Sequence, residues 1–179
     1  MPTDPSQGSQ SNPVYFHVYN RGVAKQQIFR SDDNYNFFLK KVERYIPEYP
    51  ISMVAYCLMP THYHFLIETE TKAPVSRFIQ KLFNSYTQAL NRQQSRSGTL
   101  FESRAKFKLI ETNEYALQLC RYIHLNPVEA KLVTKHEDWP YSNYVDWIIP
   151  QNEERSSINR FFQSPNEYKE FVLSSLAKG

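Results

Sequence analysis

Apolar positions recur at two different periods along this chain, and each change of period marks a change of element. "VYFHVYNRG" (Val14 to Gly22) alternates β-branched and aromatic residues, which predicts a first strand ending at Asn20-Arg21-Gly22. In "SDDNYNFFLKKVERYI" Phe38, Val42 and Tyr45 fall at helical steps after Ser31 or Asp32 as N-cap, so a helix is expected before Pro47. "ISMVAYCLMP" and "HYHFLIETE" read as two strands of a hairpin joined tightly at Pro60-Thr61. "APVSRFIQKLFNSYTQALNRQQ" spaces Val75, Phe78, Ile79, Leu82, Phe83, Tyr86 and Leu90 as one face of a second helix, with Pro74 tolerated at its start. Arg77, Lys81, Asn84 and Gln88 fall largely on its other face.

Beyond Ser97-Gly98, "LFESRAKFKLIET" predicts another strand, and Thr112 caps a helix through "NEYALQLCRYIHLN". Asn126-Pro127 reads as its end, with "PVEAKLV" as a separate short helix started by Pro127. "EDWPYSNYVDWI" packs aromatics onto the body, and Ser164, Pro165 and Glu167 form a capping box for a terminal helix. Residues 1–13 are polar and are expected to be a disordered arm, 14–148 the domain, and 149–179 a C-terminal extension carrying the terminal helix. Strand, helix, hairpin, helix, strand, helix predicts an α+β fold with a mostly antiparallel sheet and helices packed on it, in a ferredoxin-like or RNA-recognition-like order.

Composition narrows this little: 41% hydrophobic and 22% charged residues are globular values, and they exclude a fibrous or disordered chain. Cys57 and Cys120 have no CxxC spacing, so neither a disulfide framework nor a zinc knuckle is expected. Without a long apolar run or leader pattern, the expectation is a cytoplasmic protein with no membrane partner. Charge is more informative in its distribution than in its sum of +3. Between Lys72 and Lys108 eight Lys and Arg stand against Glu102 alone, an excess of +7, while the rest of the chain is acidic. Such a block suits a phosphate backbone, although a solvated helix face has the same look.

The candidate chemistry lies in "MPTHYHFLIE". Residues two apart on a strand share a face, so His62 and His64 project together and Tyr63 projects away. Two imidazoles side by side in an apolar run need partners, because an unsatisfied buried polar group costs about 1 to 3 kcal/mol. A shared metal is one answer and a polar stripe on an exposed face is the other. Imidazole with a neutral oxygen and water suits Mg, Mn or Zn. Gln118, Tyr122 and Asn126, four apart on the helix after Thr112, are candidates for the remaining donors or a nucleophile, with Ala116, Cys120 and Ile123 as the core face. By spacing alone Tyr115 and Tyr122 both stand as nucleophiles. His17 reads as a packed strand residue, with a place at the border of the site as the lesser alternative, His124 as structural, His136 as a surface residue, and Glu68 as two strand periods beyond His64.

"FHVYNRG", "IFRSDDNYNFFL", "MPTHYHFLIE", "RYIHLNPVEAKLV" and "DWPYSNY", in this order from about Val14 to Ile148, resemble the REP-associated tyrosine transposases of the single-tyrosine HUH endonuclease class. The resemblance implies an HUH nuclease fold over 14–148, with His62, His64 and Asn126 holding Mg²⁺ or Mn²⁺ and Tyr122 as nucleophile. It implies cleavage and rejoining of single-stranded DNA near hairpin elements through a 5′-phosphotyrosine. The basic residues Arg77, Lys81, Arg92, Arg104, Lys106 and Lys108 would face DNA. The partner would be single-stranded or hairpin DNA, the protein a nucleoid-associated monomer or homodimer. Two rival readings share these residues: a hairpin DNA- or RNA-binding protein that does not cut, and a metal hydrolase that uses water. The chain departs from the common pattern in the large middle residue Tyr63 and in the less basic "VEAKLV".

Overall fold

The computed structural model describes residues 14–149 and 161–174. The arm expected over 1–13 lies outside them. Four strands form one antiparallel sheet: β1 (Val14–Arg21), β2 (Ser52–Leu58), β3 (His62–Thr69) and β4 (Lys106–Ile110), in the order β2-β3-β1-β4. Helix α1 (Asp32–Tyr45) connects β1 to β2, and α2 (Lys72–Gln93) connects β3 to β4. This is the ferredoxin-like βαββαβ order within an α+β fold. Helices α3 (Asn113–Glu129), α4 (Tyr144–Ile148) and α5 (Pro165–Leu173) follow.

Alternation along the strands divides the core in two. Phe16, Val18, Tyr63, Phe65 and Ile67 join α1 and α2 in one aromatic cluster. Tyr15, Ala55, Cys57, Leu66 and Ile110 join α3, α4 and α5 in the other. The sheet therefore carries helices on both faces, and the α3 face is the one that receives the histidines of β3.

Edge strand β2 is closed by the segment after α3. Leu58 N donates to Tyr141 O at 2.8 Å and Trp139 Nε1 donates to Leu58 O at 3.1 Å. Where β2 shifts register between Met53 and Ala55, Asn143 repairs the ladder: its Nδ2 donates to Val54 O at 3.0 Å and its Oδ1 accepts from Tyr56 N at 2.8 Å. The same Oδ1 meets His124 Nε2 at 3.0 Å, and His124 Nδ1 meets the Tyr168 hydroxyl at 2.6 Å. With Nε2 protonated and Nδ1 accepting, every group in the chain is satisfied and His124 is neutral. Burial holds its pKa down at about 4, against the opposing hydrogen bond from Asn143. The "SNY" block is thus a structural clamp, and Tyr168 of α5 completes it.

Four expectations change. No separate helix begins at Pro127, because α3 runs through it to Glu129. A proline inside a helix forgoes one backbone bond, and Asn126 Nδ2 adds one to the same turn by donating to Tyr122 O at 2.7 Å. The helix stops instead at a Schellman motif, with Lys131 at φ 57° and with Lys131 N donating to Val128 O and Leu132 N to Pro127 O, each at 2.9 Å. The fourth expected strand is shorter, since Leu100–Ala105 crosses as a loop, held beside β1 by the Gly22–Phe101 bridge, by Glu102 N donating to Arg21 O at 3.1 Å and by the side chains of Asn20 and Arg21. His136 is not on the surface: a short turn folds it to 3% exposure with its ring 5.4 Å from Tyr144, and burial lowers its pKa. Finally, the terminal helix is part of the body, with Tyr168 and Val172 in the second core; its capping box forms, Ser164 Oγ accepting from Glu167 N at 3.2 Å. Among the described residues no helix is long and apolar enough to cross a membrane.

Asn143→Ala removes the side chain whose amide hydrogen-bonds both the β2 irregularity and His124. It is expected to lower the unfolding free energy by about 3 kcal/mol, because several buried partners lose a bond at once. Urea denaturation measures this, and a loss below about 1 kcal/mol would contradict the clamp.

Candidate functional site

Strands β1 and β3 present aromatic and imidazole rings to α3 at one end of the sheet. The β1–β3 register sets Tyr19 opposite His64 and Arg21 opposite His62, so these four share a face with His17. Gly22 anchors this end by donating from N to Thr61 O at 2.8 Å. A side chain at Gly22 would bring a Cβ to 2.2 Å from Gln26 O, so only glycine permits this approach.

His62 and His64 stand edge to face with centroids 5.2 Å apart. His64 is buried, and its Nδ1 lies 3.0 Å from His17 Nε2. His62 is half-buried, and its Nδ1 lies 3.1 Å from Thr61 Oγ1. Each ring thus has its Nδ1 occupied by a neighbour, a pattern that fixes ring orientation and directs Nε2 outward. Burial, followed by the neighbouring histidines, holds His64 at about 3, and burial with Lys108 holds His17 at about 4. Burial also lowers His62, with the Asn126 amide pulling the other way. All three rings are neutral at pH 7.

Helix α3 brings the second half. Cys120 and Ile123 are fully buried on the sheet, which leaves Tyr122 45% exposed with its ring edge-on to His64 at 5.4 Å. Asn126, one turn later, is buried, with its Nδ2 committed to Tyr122 O; its Oδ1 is left for the His62 side. His62, His64, Tyr122 and Asn126 therefore meet in one place. Gln118 does not join them, because its amide pairs with Arg121. Tyr115 is also exposed, but its hydroxyl takes Lys108 Nζ and its ring stacks under the same ammonium. Glu68 sits at the far end of β3, opposite Tyr15 and Ser52.

The six basic residues do not form one surface. Lys106 and Lys108 lie on the histidine face, beside Tyr19 and Tyr115. Arg104 lies in a cleft on the opposite face. Lys81 is turned toward the end of α1, where it pairs with Glu48 at 2.5 Å and covers Tyr45. Arg77 and Arg92 are exposed on α2.

Among the described residues there is no group of three His, Cys, Asp or Glu able to hold a metal. A divalent ion here would draw its donors from His62, His64 and Asn126, whose amide oxygen already faces His62, and this set of imidazoles and a neutral oxygen fits Mg²⁺ or Mn²⁺. From local spacing His17 reads as a packed strand residue, and nothing in the sequence singles out Thr61. The signal for His17 was present in "FHVYN", where period two puts it on the face that pairs with His64.

The family model described as "Transposase IS200 like" matches residues 10–126. A protein of Haemophilus influenzae named "Putative REP-associated tyrosine transposase" is 29% identical over 122 residues, 63% of this chain and 69% of that protein. A solved structure described as a REP-associated tyrosine transposase bound to a REP hairpin superposes with a TM-score of 0.66 at 16% identity, over 88% of this chain and 90% of that one. At that identity the likeness is one of fold.

Because His17, His64 and His124 have depressed pKa values in the fold, the unfolded chain takes up their protons first. Their neutral state costs nothing above about 6.5, and stability is lost as pH falls from there toward 4 for His17 and His124 and toward 3 for His64. In the metal-free protein, imidazole nitrogen spectra are expected to show His17 and His64 neutral at about pH 5. Midpoints near 6.5 for both would contradict the geometry.

Proposed function

The chain belongs to the IS200-like transposase family, and from that premise we propose that it is a metal-dependent single-stranded DNA endonuclease and strand transferase. It cleaves and rejoins DNA near hairpin elements through a 5′-phosphotyrosine at Tyr122. The observation that carries the reading is the ring of Tyr122 on His64, within a group that also holds His62 and Asn126.

Tyr122 Oη attacks the scissile phosphorus, the bond to O3′ breaks, and the departing oxygen takes a proton to leave as a free 3′ hydroxyl. The phosphodiester is replaced by a phosphotyrosine ester of similar energy, so attack by a 3′ hydroxyl reverses the step without ATP. His62, His64 and Asn126 would hold Mg²⁺ or Mn²⁺, which when bound acts as a Lewis acid on the phosphoryl oxygen. All three donors are uncharged, so they leave the cation's charge undiminished at the phosphate. His17 and Thr61 keep the two rings turned with Nε2 toward that position. Lys106 and Lys108, on the same face, meet the charge of the incoming strand. Half-exposure lets Tyr122 reach a bound strand without unfolding of α3.

The test is a covalent adduct between the full chain and a single-stranded DNA hairpin with unpaired flanks, in the presence of Mn²⁺. An adduct is expected, and Tyr122→Phe is expected to abolish it while hairpin binding persists. Binding without an adduct would make the protein a hairpin binder; cleavage that survives Tyr122→Phe would indicate water or Tyr115 as nucleophile. Titration calorimetry with Mn²⁺ alone reads the ligand set: His64→Ala should remove binding, and His17→Ala should weaken it roughly tenfold to a hundredfold.

A further inference from the structure

On the face of the sheet away from Tyr122, a cleft of about 800 Å³ separates α2 from the chain that leads into β4. Its α2 wall presents Lys72, Ser76, Gln80, Asn84 and Gln88, which are four apart and so form one ridge. At 1.5 Å per residue this ridge runs about 24 Å. All five are exposed, and among the described residues the three carboxamides have no hydrogen-bond partner. The opposite wall carries Arg104 and the half-buried rings of Phe101 and Phe107. Phe101 is locked edge-on against Phe83 at 5.0 Å and Tyr63 at 6.0 Å, and Lys72 Nζ lies 5.0 Å from the centre of Phe107. Asn20 Nδ2 donates to Ser103 O at 2.8 Å and Arg21 pairs with Glu102, so this wall is fastened to β1.

The lining specifies a class of ligand. A carboxamide presents a donor and an acceptor side by side, the pattern that matches a base edge. Fixed aromatic rings supply stacking for unpaired bases, and Lys72 with Arg104 supplies charge for phosphates. Among the described residues no acidic side chain lines the cleft.

We propose that this cleft is a reading site for unpaired nucleotides of single-stranded DNA. Gln80, Asn84 and Gln88 read base edges, Phe101 and Phe107 stack bases, and Lys72 and Arg104 hold the backbone. The assignment rests on the DNA-processing reading above and adds that sequence choice is made on the opposite face of the sheet from the nucleophile.

The probe is a DNA hairpin carrying randomised unpaired nucleotides on each side of its stem, put through binding selection with the full chain. The wild type is expected to enrich defined bases, and Gln80→Ala and Asn84→Ala each to relax one position by roughly fivefold or more. Arg104→Ala should weaken all sequences alike and reduce the salt slope by about one. Iodouracil placed in the enriched flank should photocrosslink to Phe101 or Phe107 of the wild type, a readout that needs no variant. The cleft assignment falls if the wild type enriches nothing, if both carboxamide variants keep its preference, or if crosslinks map only to the Tyr122 face. An intact preference without adduct formation would remove only the catalytic reading. Adduct formation with unchanged preference in the carboxamide variants would remove only the cleft.

Discussion

Everything at the candidate site depends on three residues that lie outside it. Tyr63, Phe65 and Ile67 enter the aromatic core under α1 and α2, and the strand period then obliges His62, His64 and Leu66 to face α3. Burying side chains of this size is worth about 1.5 to 3 kcal/mol each. A slip of one residue would turn Tyr63, Phe65 and Ile67 toward α3 and drive two imidazoles into a dry aromatic cluster, so the register is strongly specified. The large middle residue of "HYH" therefore has a structural cause: its ring stacks on Phe83 at 4.3 Å, and this holds the histidines on the other side.

Helix α3 is fixed about its own axis by an equivalent division. On its inner side His124 is gripped between Asn143 and Tyr168. Two residues earlier, on the outer side, Tyr122 stands free above His64. A rotation that moved Tyr122 away would pull a fully buried imidazole from both of its hydrogen bonds. The last helix thus bears on the position of the candidate nucleophile through His124, although it touches no part of the site.

Periodic signals were easiest to read in the sequence. The strand pair at Pro60-Thr61, both long helices, the Thr112 and Ser164 caps and the shared face of His62 and His64 all follow from local spacing. Grouping Tyr122 with those histidines came from resemblance, and only the packing of α3 on β2 and β3 separates it from Tyr115. What local spacing missed was settled by tertiary contacts. Asn-Pro looks like a helix end, yet α3 continues because its buried turn gains the Asn126 side-chain bond and its true stop is a lysine in a conformation usually taken by glycine. His136, beside two acids, reads as exposed, but its ring is drawn in against Tyr144. The Thr61 and His17 contacts depend on cross-strand register, which no single segment encodes.

The basic stretch from Lys72 to Lys108 looks like one patch only when it is written as a line. On β4, alternation sends Lys106 and Lys108 to the histidine face and Phe107 to the cleft. On α2, a quarter-turn separates the ridge of Lys72 and Gln80 from Lys81, which Glu48 already neutralises. Charge that is divided between two faces of a sheet cannot act as one undirected field. Each face keeps the cations that its own side chains place there: Lys106 and Lys108 beside the histidines, with Tyr19 and Tyr115 under them, and Lys72 and Arg104 in the cleft, with Phe107 under Lys72. Lys72, Lys106 and Lys108 each sit at a defined distance from an aromatic ring, and such a pairing, more than net charge, is what would let a surface position a single strand rather than merely attract it.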